Sequence, residues 1–292
     1  MNKLSVIIVT VLFGGLVSFS DGVRATSVEK TPPAELRKTL GPSPSESVIV
    51  PHRAIYDMSL ASAKNGSTIA GVSGRMAFEW ADVCDGWAVQ QHLKLHFSYS
   101  GGTESNVTSS ELTWESKDGK SYNFNIHRVT DDKDAENYRG KASLNNEGGT
   151  VVYLEPANKT LTLPAATMFP SAHTQMILQK AKSGDHFFSR RVFDGSDETG
   201  SNDVSAFIDP QPAHLLDANL ATQLKGKALL DGPVWPVRMA FFKIDTETGE
   251  PDYEMDISLL ANGIVQSMRI DYGDFSVLGT LSAIDPLPVP HC

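Results

Sequence analysis

The chain has little cysteine, few basic residues and no apolar run of the roughly 20 residues that a membrane-spanning helix needs. Two cysteines in 292 residues exclude a disulfide-dense scaffold and a cysteine-rich metal domain. The 25 lysines and arginines are outnumbered by 35 aspartates and glutamates, which gives a net charge of −10. Because an acidic chain gains little from releasing counterions on phosphates, nucleic acid is not an expected partner.

The N-terminus has the three parts of a secretory signal peptide. Lys3 is followed by the mostly apolar residues 4–19 and by a small residue at Ala25, where cleavage is expected. A retained membrane anchor is the alternative, but the apolar run is too short for it. We therefore predict a signal peptide over 1–25, a periplasmic protein, and no membrane span after cleavage.

Residues 26–47 are rich in proline and serine and carry few large apolar side chains. Such a segment cannot bury enough surface to offset the entropy lost on ordering, so it is predicted to be a flexible tether. The composition changes after it, and residues 48–292 are predicted to form a single domain.

This domain shows the period-two pattern of β-strands. Between Trp87 and Tyr99 the apolar side chains fall on odd positions and polar ones between them, and 72–80, 122–126 and 237–241 repeat the pattern. Turn dipeptides separate such runs: Asn65-Gly66, Asp85-Gly86, Asp118-Gly119 and Asn262-Gly263. We predict a mainly β fold, a long antiparallel meander of a dozen or more strands, which must curl or close to limit exposed edges.

One helix interrupts the meander. Pro170 near its start, Ser171 as its cap and Gly184 after its end follow the rules for helix boundaries. Met176 and Ile177 lie at helical spacing, so we predict that they face the concave side of the sheet. A second, shorter helix is predicted over residues 213–224.

No arrangement of residues identifies a reaction, a cofactor or a metal site. His92 and His96 would lie roughly 13 Å apart on a strand, too far for one ion. The acidic segments 194–200 and 245–249 have oxygen side chains at alternate positions, as calcium loops do, but lack the glutamate at position twelve. Solvated turns are the preferred interpretation, with calcium as the alternative. We predict a non-enzymatic protein, against the alternative of a hydrolase whose catalytic residues are scattered along the chain.

Cys84 and Cys292 are the two cysteines. In an exported chain an even number of cysteines favours a disulfide, whereas a redox pair would require the C-x-x-C spacing that is absent. A zinc site would require further histidine or cysteine ligands nearby. The expected state is therefore an intramolecular disulfide.

Around Cys84 stand Trp80, Asp85-Gly86, Trp87 and Gln90. This segment closely resembles the signature of the EipB-like cell-envelope integrity proteins, a periplasmic family of alphaproteobacteria. Asp85-Gly86 is expected to make a tight turn that the two tryptophans anchor. The alternative is that the tryptophans rim a binding cleft.

Three further parts of the chain resemble the same family: residues 168–174, the turn at 193–195, and the closing 261–265 with 270–275. The resemblance implies a sheet coiled into a β-spiral or broken barrel around the helix, with Cys84 bonded to Cys292. It also implies a role in envelope integrity, a periplasmic tetratricopeptide-repeat partner, and a shape like that of periplasmic lipoprotein carriers. Our leading hypothesis is a protein that acts through protein–protein contacts. The alternative is a carrier or binder of a lipid or lipoprotein acyl chain in the concave face.

Overall fold

The computed structural model describes residues 49–198, 201–210, 224, 226–244 and 249–292. The predicted signal peptide and the tether lie outside these residues. So do residues 245–248 of the second acidic segment and the second predicted helix, of which only Leu224 is described.

The described residues form fourteen strands and one α-helix. The first eight strands are β1 (His52–Ala63), β2 (Ile69–Asp82), β3 (Gly86–Tyr99), β4 (Glu104–Ser116), β5 (Ser121–Thr130), β6 (Asp134–Asn145), β7 (Gly148–Glu155) and β8 (Lys159–Pro164). The helix α1 (Pro170–Ser183) follows. The last six strands are β9 (Phe187–Phe193), β10 (Ser201–Ile208), β11 (Val234–Lys243), β12 (Tyr253–Leu260), β13 (Val265–Asp271) and β14 (Phe275–Pro286).

All fourteen strands belong to one antiparallel sheet, which confirms the predicted meander. Its order is β8-β7-β6-β5-β4-β3-β2-β1-β14-β13-β12-β11-β10-β9, so the first and last strands pair at its centre. The chain builds outward from β1 to the edge strand β8, crosses through α1 to the other edge strand, β9, and returns to β14. At the gap between the two edges, Met168 forms an isolated bridge with Val192. The sheet is therefore coiled but does not close into a barrel.

The alternation of side chains separates a buried inner face from an outer face, as the period-two pattern predicts. The buried apolar residues form two clusters. The larger one, here called the large core, draws on β1–β4, α1 and β9–β14. The smaller one, here called the small core, consists of Tyr122, Phe124, Ala142, Val151, Tyr153, Leu163, Phe169 and Phe193.

The helix α1 begins at Pro170 and ends just before Gly184, as these two residues predicted. Gly184 ends it in the left-handed conformation at φ 79°. Ile177 is 1% exposed and Met176 packs against the large core. The prediction of Ser171 as the cap was wrong, because Phe169 is the N-cap residue and provides no side-chain hydrogen bond. The helix start is stabilised instead by Glu115 of β4.

Three of the four predicted turn glycines, Gly66, Gly119 and Gly263, adopt positive φ angles of 92°, 67° and 87°. The fourth differs from the prediction, because Cys84 takes the positive φ (68°) while Gly86 opens β3. A Cβ atom on Gly86 would lie 2.4 Å from the indole nitrogen of Trp114. Glycine is needed there because the indole passes close to the backbone.

Candidate ligand-binding lumen

An apolar cavity of about 190 Å³ lies inside the coiled sheet. We call it the apolar chamber. Its walls come from β1, β2, β3, β11, β12, β13 and the loop before β13, together with Thr174 and Ile177 of α1. Four methionines line it: Met76, Met239, Met255 and Met268. Because methionine is flexible and polarisable, this lining can adapt to apolar ligands of different shapes.

The titratable groups of the apolar chamber are kept neutral by burial. Burial lowers the pKa of His52, whose Nδ1 lies 2.8 Å from the carbonyl oxygen of Val50. Burial also raises the pKa of Tyr56, whose hydroxyl donates to the carbonyl of Val265. At neutral pH the chamber therefore presents no charge to an apolar ligand.

A second cavity, of about 140 Å³, lies on the side of the small core. We call it the acidic chamber. Its polar lining comes from β3, β4, the start of α1 and the loop after β9: Gln91, Glu111, Thr113, Ser171, Asp194 and Ser196. Tyr122, Phe78, Val89, Ile126 and Pro170 complete the lining, which includes no lysine, arginine or histidine.

The carboxyl groups of the acidic chamber are hard to ionise. Burial raises the pKa of Glu111 to about 7, against the opposing effects of Arg128 and of a hydrogen bond from Ser109. Glu111 points inward yet keeps some accessible surface, because it faces the cavity. Burial, with the nearby Asp197 charge, raises the pKa of Asp194 well above its usual value. Glu111 is therefore partly protonated at neutral pH, and burial disfavours the ionised form of Asp194.

Glu115 connects β4 to the helix. Its two carboxylate oxygens accept hydrogen bonds from the backbone N–H groups of Ser171 (2.7 Å) and Ala172 (2.8 Å). Burial raises the pKa of Glu115 to about 7, although these bonds oppose the shift. A carboxylate at a helix N-terminus satisfies free N–H groups and the positive end of the helix dipole. Glu115 therefore fixes the helix beside the acidic chamber.

The two chambers adjoin, because Phe78 and Gln91 line both of them. Phe78 on β2 is opposite Gln91 on β3, which is opposite Glu111 on β4. This cross-strand row leads from an apolar wall to a carboxyl group within three strands. The lumen is therefore amphipathic, with its polarity changing at Gln91.

Of the predicted signature hairpin, only Trp80 is among the residues that line the two chambers. Trp80 lines the apolar chamber and meets the fully buried Trp87 edge to face, with ring centroids 6.2 Å apart. Lys117 lies 3.0 Å from the centroid of a Trp87 ring and pairs with Asp82. Gln90, by contrast, is exposed and lies 2.7 Å from His92.

The turn between β2 and β3 is held by the disulfide between Cys84 and Cys292, which are 208 residues apart. In the turn, the Asp82 side chain accepts a hydrogen bond from the backbone N–H of Cys84. The backbone carbonyl of Asp85 accepts one from the backbone N–H of Lys117. The disulfide thus ties the segment after β14 to the hairpin whose tryptophans close the large core.

Residues 194–197 of the first acidic segment are buried rather than forming the solvated turn that the sequence suggested, while Glu198 is exposed and 199–200 lie outside the described residues. Asp194 and Asp197 are 4% and 5% exposed, and their backbone carbonyls accept hydrogen bonds from the hydroxyls of Tyr122 and Tyr153. The loop is thus turned into the small core. Within the described ranges no group of three or more His, Cys, Asp or Glu side chains is placed to hold a metal ion.

Sequence reasoning missed Gln91, Glu111 and Glu115. A signal for the glutamates was present, because β4 has polar residues on both faces, including the inward positions Ser109, Glu111, Thr113 and Glu115. A strand in the middle of a sheet with no apolar face predicts a polar interior. The inward turn of Asp194 had no such signal, since it depends on tyrosines far away in the sequence.

The fold and the lumen define this molecule as an open, coiled β-sheet protein with an internal amphipathic cavity. No helix within the described part of the chain is long and apolar enough to cross a membrane. The chain belongs to the EipB-like family, whose model matches residues 44–288.

A curated relative and a solved structure support this assignment. The chain is 32% identical over 240 residues to the cell envelope integrity protein EipB of Brucella abortus (strain 2308), covering 81% of this chain and 84% of the relative. It is also similar to a crystal structure of a β-barrel-like protein of a domain of unknown function from Brucella abortus. That match has a TM-score of 0.75 at 29% identity and covers 82% of this chain and 99% of the other. The comparisons support a role in envelope integrity.

Proposed function

We propose that this protein maintains cell-envelope integrity from the periplasm by binding the apolar chain of a lipid or lipoprotein in the apolar chamber. The observation that carries the proposal is an internal cavity of about 190 Å³ lined by apolar side chains. The role is one of binding and needs no catalysis. The sequence favoured protein–protein contacts over this carrier role; we place the carrier role first because the cavity supports it.

The size and lining of the apolar chamber support such a ligand. An engineered apolar cavity of about 150 Å³ in another protein stays dry and takes up benzene. The chamber is larger and shares Phe78 and Gln91 with the acidic chamber, so a chain longer than one ring that extended past these side chains would have room in both. Each buried methylene group contributes about 0.8 kcal/mol to binding.

Native mass spectrometry of the mature protein purified from its own periplasm tests the proposal. We expect a lipid-sized adduct that disappears on solvent extraction. Met255→Trp should fill the chamber and abolish the adduct, whereas the volume-conserving Met255→Leu should retain it. A bare protein in both the wild type and Met255→Leu would contradict the proposal.

A protein partner is the second candidate function, and an exposed aromatic pair favours it. Phe187 and Phe207 are 54% and 50% exposed, with ring centroids 4.7 Å apart, on neighbouring strands at one edge of the sheet. Phe207 also borders an outer groove of about 820 Å³ that includes Arg238 and Leu278. Exposed aromatics beside such a groove are typical of interaction sites.

A periplasmic tetratricopeptide-repeat protein is the partner we propose for this surface. Crosslinking in the intact envelope, with the wild type and the double variant Phe187→Ser, Phe207→Ser, tests it. We expect a crosslinked product that the double variant loses while its melting temperature stays unchanged. An identical crosslinking pattern in both proteins would contradict this surface.

A further inference from the structure

We propose that the acidic chamber is a head-group subsite, and that the ligand of the lumen is an amphiphile whose polar end carries an amine. The inference rests on the proposed binding of an apolar chain, and it adds the chemical class of the head. The apolar chain would lie among the methionines of the apolar chamber, and the amine would lie beyond Gln91, against Glu111 and Asp194.

The contact between the two chambers supports a ligand with two ends. Phe78 and Gln91 form part of both chambers, so the chambers meet at these side chains, and the proposed ligand would extend past them from one chamber into the other. The chambers, of about 190 and about 140 Å³, together reach the lower end of the range for small-molecule sites, roughly 300 Å³. The acidic chamber alone has room for an ammonium group with a few waters, each of which occupies about 30 Å³.

A buried carboxyl oxygen without a partner points to a missing hydrogen-bond donor. Asp194 is 4% exposed, and its Oδ1 accepts a hydrogen bond from the backbone N–H of Ser196. Its Oδ2 is buried at the acidic chamber and has no hydrogen-bond partner among the described residues. Buried polar atoms in native proteins are almost always hydrogen-bonded, so this oxygen, once the carboxyl is ionised, needs a donor from a ligand or from water.

The charges around the chamber select for a cationic head. Glu111 and Asp194 line it, Glu115 and Asp197 lie close behind, and no basic side chain is part of the lining. Arg128 is the basic group that acts on Glu111; its Nη1 is paired with Glu136 on the next strand, while its Nε and Nη2 are buried without a hydrogen-bond partner among the described residues. An ammonium group would supply donors to both carboxyls and allow them to ionise. An anionic head would gain no ionic attraction from them and would be repelled by any carboxyl that ionised.

The aromatic part of the lining fits the same head. The lining that contains Glu111 and Asp194 also contains Phe78 and Tyr122, the second of which is stacked on Phe169. Aromatic faces attract ammonium groups, most strongly where water is excluded. Carboxyl groups and rings on one cavity wall form a chemically matched site for an amine.

Calorimetry with three ten-carbon probes, decylamine, decanol and decanoate, tests the inference on the mature protein at pH 7.5, below the micellar concentration of each. We expect decylamine to bind at least tenfold more tightly than decanoate, with decanol in between. Glu111→Gln should reduce the affinity for decylamine at least tenfold and leave decanol unchanged. Decanol binding thereby also reports that the variant is folded.

A proton count gives a second readout. Because a bound ammonium group favours ionised carboxyls, decylamine should release protons from the protein, seen as a heat that depends on the ionisation enthalpy of the buffer. Decanol should release none. Asp194→Asn should weaken the binding of decylamine in the same way as Glu111→Gln. Glu104 is an exposed carboxylate on β4, the strand of Glu111, and Glu104→Gln should leave decylamine binding unchanged.

The outcomes separate the two proposals. Equal binding of decylamine and decanoate, with decanol still bound, would overturn the amine subsite and leave the apolar chamber in place. A preference for decylamine that survives both Glu111→Gln and Asp194→Asn would overturn the assignment to these carboxyls. No binding of any probe would overturn the proposed function itself, and the head-group inference with it.

Discussion

The large core and the small core are built by different kinds of interaction. The large core spans ten strands and the helix, and is mainly aliphatic, with methionines around the apolar chamber. The small core has eight buried residues, five of them aromatic, and its tyrosine hydroxyls bind the backbone of the inward acidic loop. The first depends on burial, which is non-directional, and the second on ring geometry and hydrogen bonds. We expect the large core to tolerate substitution and the small core not to.

The strongest test of this difference is the truncation of one small-core ring. Phe169 is fully buried and stacks on Tyr122, with ring centroids 4.9 Å apart. Phe169→Ala should lower the free energy of unfolding by about 3 to 5 kcal/mol. The exposed Phe187→Ala should change it by less than about 0.5 kcal/mol. Denaturant titration of both variants measures the contrast, and equal stabilities would show that the small core is dispensable.

The pH dependence of stability should come from the acidic side of the molecule. The pKa of Glu111 is about 7 in the fold against 4.5 in its absence. In the unfolded chain Glu111 therefore loses its proton at lower pH than in the fold. Its contribution to stability is complete below about pH 4.5 and is lost as the pH rises through about 7. The loss is on the order of 3 kcal/mol.

Glu111→Gln removes this titration, so it should flatten the fall in melting temperature between pH 4.5 and pH 8. Glu115, whose pKa is also about 7, leaves a residual slope in the variant. The exposed Glu104→Gln should keep the full slope of the wild type. Identical slopes for Glu111→Gln and the wild type would contradict the assignment.

Breaking the hydrogen bonds between Glu115 of β4 and the start of the helix should lower the free energy of unfolding by a smaller amount, and the change should be local. Glu115→Ala leaves the N–H groups of Ser171 and Ala172 without their acceptor. We expect a loss of about 1 to 3 kcal/mol, reduced at high pH because the variant also removes a buried carboxylate. Hydrogen exchange at residues 171 and 172 measures it. Unchanged protection of these two amides would mean that water replaces the carboxylate without cost.

The smallest loss of stability is expected from a volume-conserving substitution in the large core. Met239→Leu conserves volume at the wall of the apolar chamber and should cost less than about 1.5 kcal/mol. Thermal unfolding of Met239→Leu and Phe169→Ala, measured side by side, compares the two losses of stability. A loss as great as that of Phe169→Ala would remove the distinction between the two cores.

Local patterns in the sequence predicted much of the fold. Alternation predicted strands such as β3, and Pro170 and Gly184 predicted the bounds of the helix. Period two and helix boundaries are set by neighbouring residues, so one sequence reveals them. The central pairing of β1 with β14 is not local and could not be read this way.

The candidate lumen was predicted only in part. The concave position of Ile177 agrees with its helical spacing, whereas Trp80 lines the chamber although the preferred interpretation had it anchor a turn. The cap of the helix comes from Glu115, 56 residues before Ser171. The burial of Asp194 likewise depends on Tyr122, 72 residues away. Contacts between such distant residues arise from the coiling of the sheet, which single-sequence patterns do not encode.

The central pairing of β1 with β14 makes the strand order cyclic with a single break, between β8 and β9. The segments before β1 and after β14 already run side by side, since the N–H of Leu287 donates to the carbonyl of Pro51. Every other strand pairs with its neighbour in sequence, so the contact order of the sheet is dominated by one closure. A circular permutant that joined these two segments and opened between β8 and α1 would turn that closure into one more hairpin. The same architecture would then assemble by nearest-neighbour zippering alone.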